Sequence, residues 1–67
     1  MSKFAQRLKE LKKEFGISNV KLGKAVGVGS ATVCRWENGK TDIRSHELVK
    51  VAKFFKVTAD YLVGLED

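Results

Sequence analysis

Between Asn19 and Gly39 the chain reads NVKLGKAVGVGSATVCRWENG, and its chemically capable residues gather in the second half of that stretch. Wound at about 100° per residue, Val33 and Trp36 fall on one side of a helix. Ser30, Ala31, Cys34, Arg35 and Asn38 fall on the opposite side, with Thr32 and Glu37 at the flanks. The back is apolar; the front is short-chained and polar, with one long cation. Such a helix can be held from behind while its front approaches another surface closely, and the major groove of duplex DNA is a surface that rewards this. Arg35 can donate two parallel hydrogen bonds to guanine O6 and N7, which is worth about 1–3 kcal/mol of discrimination. The methyl groups of Ala31 and Thr32 suit contact with the thymine C5-methyl. Taken alone, the same face also fits an ordinary solvated surface helix.

Catalysis has no comparable set. A nucleophile needs a general base within hydrogen-bond reach. The single cysteine, Cys34, and the single histidine, His46, fall on different elements with no third group to orient them. One cysteine and one histidine can build neither an internal disulfide nor a four-ligand zinc site. The GVGSAT segment lacks the lysine and the preceding strand of a phosphate-binding loop. No enzyme activity, metal, cofactor or small-molecule ligand is expected.

Charge points the same way as the helix. Lys and Arg number 13 against 8 Asp and Glu, a formal net charge of +5 in 67 residues, with a sequence pI near 9.6. A basic balance of this size is an electrostatic footprint of nucleic-acid binding. The cations are spread over several elements and not gathered on one amphipathic helix, which disfavours an anionic membrane as the partner. No segment approaches the ~20 apolar residues of a membrane span. The opening MSKFAQRLKE has no apolar run of signal-peptide length, and a lone thiol suits a reducing compartment, so the cytoplasm is expected.

The elements that must position the front face follow from spacing and caps. Phe4, Leu8, Leu11 and Phe15 mark a first helix with a core-facing stripe, Ser2 as its N-cap and Gly16 as its stop. Ser18 caps a second helix, with Ile17 and Leu22 placed as a hydrophobic staple. Leu22, Val26 and Val28 face inward, and Gly27 ends this helix in the left-handed conformation. Gly23 stands inside the second helix at a cost of about 1 kcal/mol relative to alanine, which a close crossing with the third helix would offset. The third helix runs from Ser30 to Glu37 and ends at Asn38-Gly39, two residues that accept positive φ. Residues 40–45 read as a polar loop. A fourth helix spans about His46 to Phe55, with Leu48, Val51, Ala52 and Phe55 inward. Thr58 caps a short fifth helix, Val57 and Leu62 form its staple, and Gly64 ends it. This is an all-α reading, five helices and no sheet, in one domain over residues 1–67. A chain this short buries only about 60% of its unfolded surface, so the core will be modest.

The phrases RLKELKKEFGIS, LGKAVGV, RWENGK and VAKFFKVTADYLVG together resemble the helix-turn-helix DNA-binding domains of phage repressors and Cro proteins, the XRE type. The resemblance runs from Phe4 to Gly64. It implies a compact five-helix lambda-repressor-like domain whose helices 2 and 3 form the helix-turn-helix. It further implies a homodimer on an inverted-repeat operator in double-stranded DNA, acting as a transcriptional regulator. By the same resemblance Ser30, Ala31, Thr32, Cys34 and Arg35 face bases or the adjoining backbone, while Asn19, Asn38, Lys40 and Arg44 hold phosphates. Lys12 and Glu37 match a pair that joins the first and third helices.

Departures accompany the match. Asn19 replaces a glutamine one methylene longer, Gly29 replaces a Ser or Thr cap, and Ile43 replaces a loop proline. Phe54, Tyr61, Val63 and Leu65 exceed what five small helices bury and are expected at the dimer contact. Lys50, Lys53 and Lys56 read as a solvated stripe. An antitoxin or restriction–modification controller, which binds DNA and also answers to a partner, is the alternative role for the same module.

Overall fold

The computed structural model describes residues 3–65, and the expected cap at Ser2 lies outside them. Among the described residues the order is α1 (Lys3–Phe15), α2 (Asn19–Val26), α3 (Ser30–Glu37), α4 (Ser45–Phe55) and α5 (Ala59–Val63), with no strand. This is the five-helix, all-α architecture the sequence implies.

The helix starts follow local chemistry. Ser18 Oγ accepts the Lys21 N–H at 3.1 Å, and Thr58 Oγ1 accepts the Tyr61 N–H at 3.0 Å. Each satisfies one of the backbone donors that a helix N-terminus leaves without a partner. At α4 the Arg44 N–H donates to the Glu47 carboxylate at 3.1 Å, and the helix starts one residue earlier than the apolar pattern suggests.

The helix ends share one device. After every helix a residue adopts positive φ, and the following N–H bonds back to the carbonyl five residues earlier. The closing bonds are Ile17 to Lys12, Val28 to Gly23, Lys40 to Arg35, Val57 to Ala52 and Leu65 to Asp60. Four of the five positive-φ positions are glycines; the fifth is Lys56, at φ 59°. The left-handed residue after α3 is Gly39, whereas Asn38 keeps φ −93°.

The core is wholly apolar: Phe4, Leu8, Leu11, Leu22, Val26, Val33, Trp36, Val51, Ala52, Phe55 and Leu62 are buried together. Ile17, Val28, Ile43, Leu48, Phe54, Val57 and Tyr61 are half-buried against them. α1 packs on α3 and α5, α2 on α3 and α4, and α4 on α5. Phe15 does not join this core. It is 48% exposed, with its ring edge-on to Phe55 at 5.3 Å between centroids. As the last residue of α1 it overhangs the packed region just where Gly16 turns the chain away, so it covers the core from outside.

Lys56 is the one strained backbone position among the described residues. A non-glycine residue held at left-handed dihedrals is strained by about 1–2 kcal/mol, part of which the added freedom of glycine in the unfolded chain gives back. Lys56→Gly should therefore stabilise the domain by about 0.5–1 kcal/mol, read as a raised denaturation midpoint at unchanged m-value.

Candidate nucleic-acid interface

The candidate interface comprises α2, the turn after it, and α3. The turn needs Gly23. A Cβ there would stand 2.6 Å from the Val28 carbonyl oxygen and 3.3 Å from the Gly29 carbonyl carbon. The close approach is thus to the backbone of the turn just before α3, not to the body of α3 as the sequence suggests. The Gly23 carbonyl also accepts the Gly27 and Val28 N–H groups at 2.7 and 2.8 Å. One position thereby fixes the turn from both its backbone oxygen and its missing side chain.

The turn delivers α3 with the orientation its sequence dictates. Val33 is fully buried and Trp36 is 1% exposed, its ring edge-on to Phe4 at 6.2 Å. Ser30, Ala31, Cys34, Arg35 and Asn38 are all exposed on the other side, and Thr32 is half-buried. Four of the five residues expected to face bases therefore share the exposed side of α3, with Arg35 the long cation among short neighbours, while Thr32 stands at its flank.

The residues expected to hold phosphates differ from one another. Lys40 and Arg44 are exposed beyond the end of α3. Asn38 turns its side-chain amide onto its own helix, where Nδ2 donates to the Cys34 carbonyl oxygen at 3.0 Å and meets Cys34 Sγ at 3.4 Å. In this conformation the Asn38 amide caps α3, and a phosphate contact through it requires that bond to open. Asn19 is the half-buried first residue of α2, and its Oδ1 accepts a hydrogen bond from Lys12 Nζ. The same ammonium donates to Glu37 Oε2 at 2.5 Å, with the two side chains 14% and 15% exposed. Lys12 and Glu37 are thus an ion pair and not two separately solvated charges. The bond from Lys12 to Asn19 has no signal in the sequence pattern. Its residues lie on different helices on either side of the Gly16 turn, so the periodicity of one helix does not bring them together.

The surface expected at a dimer contact is mixed. Phe54 is half-buried and edge-on to Phe55 at 5.1 Å, and the Arg7 guanidinium lies over the Tyr61 ring at 4.2 Å. Val63 and Leu65 are exposed, Leu65 at 77%.

Fold and surface together define a helical domain that presents the second helix of a helix-turn-helix on a basic exterior. The sequence profile of the helix-turn-helix family matches residues 8–62, and the chain belongs to that family, in its phage repressor and Cro-like XRE type. It is 29% identical over 58 residues to repressor protein C2 of Salmonella phage P22, covering 87% of this chain and 27% of the length of that repressor. The structure of the P22 c2 repressor in complex with a synthetic operator superposes with a TM-score of 0.88 at 27% identity, covering 94% of this chain and 96% of that one. A transcriptional regulator from Listeria innocua superposes at 0.89 with 33% identity, over 96% of this chain and 60% of that one. The restriction–modification controller protein C.AhdI of Aeromonas hydrophila superposes at 0.83 with 28% identity, over 91% and 92% of the two chains.

Three outcomes follow from the geometry. Gly23→Ala forces backbone to move and should cost about 1–3 kcal/mol despite alanine's better helix propensity. Trp36→Ala should cost about 3–5 kcal/mol, most of what so small a core supplies, whereas Arg35→Ala should stay within about 0.5 kcal/mol. Urea denaturation followed by circular dichroism measures all three.

Proposed function

We propose that this chain is a sequence-specific, double-stranded DNA-binding transcriptional regulator that reads base edges with the exposed side of α3. The observation that carries this reading is the orientation of that helix. Trp36 and Val33 are consumed by the core, so Ser30, Ala31, Cys34 and Arg35 are left exposed, with Thr32 half-buried beside them. Likeness to a repressor solved with its operator supports it. Lys40 and Arg44 would hold the phosphate backbone beyond α3, and Asn19 would hold it at the start of α2. The basic excess would supply most of the affinity, with log K falling against log[salt] at about −0.9 per neutralised phosphate.

The working form would be a homodimer on an inverted repeat with half-sites about one helical turn, ~34 Å, apart. Occupying an operator, such a dimer blocks polymerase sterically, and its place of action is the cytoplasm. Val63 and Leu65 are the open apolar positions for the contact between copies, with Phe54 and Tyr61 behind them. The function needs no catalytic step, cofactor or small ligand.

The near end-to-end likeness to C.AhdI favours a second reading, a restriction–modification controller using the same surface. Dependence of transcription on the dose of this gene at its own promoter distinguishes it, and co-purification of a small second protein marks the antitoxin variant of the alternative.

Selection of bound duplexes from a random DNA pool should return a two-fold symmetric site. Against that site Arg35→Ala should keep its fold, keep salt-sensitive binding to random DNA, and lose discrimination between the two. Retained discrimination would place base reading elsewhere, and absence of binding to any duplex at low salt would remove the regulator reading.

A further inference from the structure

We propose that Lys12 is a positioning residue for DNA binding: it aims the Asn19 side-chain amide at the phosphate backbone and does not itself neutralise a phosphate. The inference rests on the reading that the start of α2 lies against DNA. An ammonium carries three donors and no acceptor. A hydrogen bond from Lys12 Nζ to the Asn19 side chain must therefore end on Oδ1, as it does. That bond removes the ambiguity between the two ends of the planar carboxamide, because the end held by Lys12 is the acceptor. The other end, Nδ2, can only donate, and a phosphate can only accept. An untethered Asn at this position could turn its oxygen outward half the time and would repel a phosphate in that state. Holding one of the two orientations in advance lowers the ordering cost of the contact.

The charge of Lys12 is already spent. Glu37 Oε2 lies 2.5 Å from Nζ, and both side chains are about six-sevenths buried at 14% and 15% exposure. The pair is locally neutral, so bringing DNA to it releases no counterion on its account. Its ties reach α1, α2 and α3 at once, through Lys12, Asn19 and Glu37. The phosphate contact at α2 is thereby held in register with the base-reading side of α3.

The test is equilibrium binding of a fluorescently labelled duplex, carrying the site recovered by selection, across a salt series. Circular dichroism and thermal unfolding of every variant give the folded fraction. Asn19→Ala should weaken binding on the order of 10-fold per protomer, the loss of one hydrogen bond to a charged group. Lys12→Met combined with Glu37→Gln, which removes the pair without leaving an orphan charge, should weaken it about 2-fold, because half of the amides then face the wrong way. Adding Asn19→Ala to that double variant should bring the loss only to the ~10-fold of Asn19→Ala alone, and the salt slope should stay that of the wild type throughout. Asn19→Asp, which suits the first turn of a helix, should fold normally yet bind more weakly than Asn19→Ala, because it shows the phosphate an anion. If removal of the pair unfolds the chain, NMR of the free wild-type protein decides the point: the Asn19 carboxamide should hold one fixed orientation, and a carboxamide that averages between two overturns the proposal. The proposal is overturned by losses that multiply, by a salt slope that shrinks by about 0.9 per protomer when the pair is removed, or by Asn19→Asp binding as well as Asn19→Ala. Wild-type affinity in Asn19→Ala also overturns it, while a loss of discrimination in Arg35→Ala would leave the regulator reading standing.

Discussion

Everything the molecule presents to the outside is set by what it does with Trp36 and Val33. These two side chains take one side of a two-turn helix into a core that contains no buried polar or charged residue among those described. An eight-residue helix has too few residues to be stable by itself, since isolated helices below ~12–15 residues are marginal. Its existence and its rotation about its own axis are therefore imposed by the same burial. Once the indole is seated beside Phe4, the opposite side of α3 has nowhere to go but outward. Gly23 complements this by admitting the backbone of the turn to van der Waals range of α2, which sets where along its length α3 begins.

The domain spends few residues on holding itself together and leaves nearly all its cations at the surface. Two of those described are half-buried: Arg7, whose guanidinium lies over the Tyr61 ring, and Lys12, committed to Glu37 and Asn19 at the junction of three helices. Short side chains around Arg35 have a matching logic. They add little binding of their own, but they let a helix come near enough to a polar surface for one guanidinium to reach it in a bidentate geometry.

Most of the fold was legible because its signals are local. Ser18 and Thr58 cap where their side chains can reach an N–H three residues on, and Gly16, Gly27 and Gly64 mark ends because positive φ favours glycine. The core stripe of α1 followed from spacing as far as Leu11. It failed at Phe15, because periodicity gives the direction of a side chain and not whether neighbouring elements extend far enough to cover it. The end of α4 was correctly placed, but nothing in a lysine announces a left-handed residue, so the strained Lys56 was not foreseen. The exposed side of α3 was legible from its pattern. The inward turn of the Asn38 amide and the Lys12–Asn19 bond were not, because both depend on side-chain rotamers and on the angle between helices.

The indole that anchors α3 has a further consequence. It is the one tryptophan of the chain, and at 1% exposure it touches protein on every side while sitting directly behind the exposed face. Its emission reports how firmly α3 is seated and is shielded from whatever touches that face. Docking of a ligand on the front and loosening of the helix from the body are thus optically separable events in the unlabelled protein, the first silent at this fluorophore and the second visible as a red-shifted spectrum.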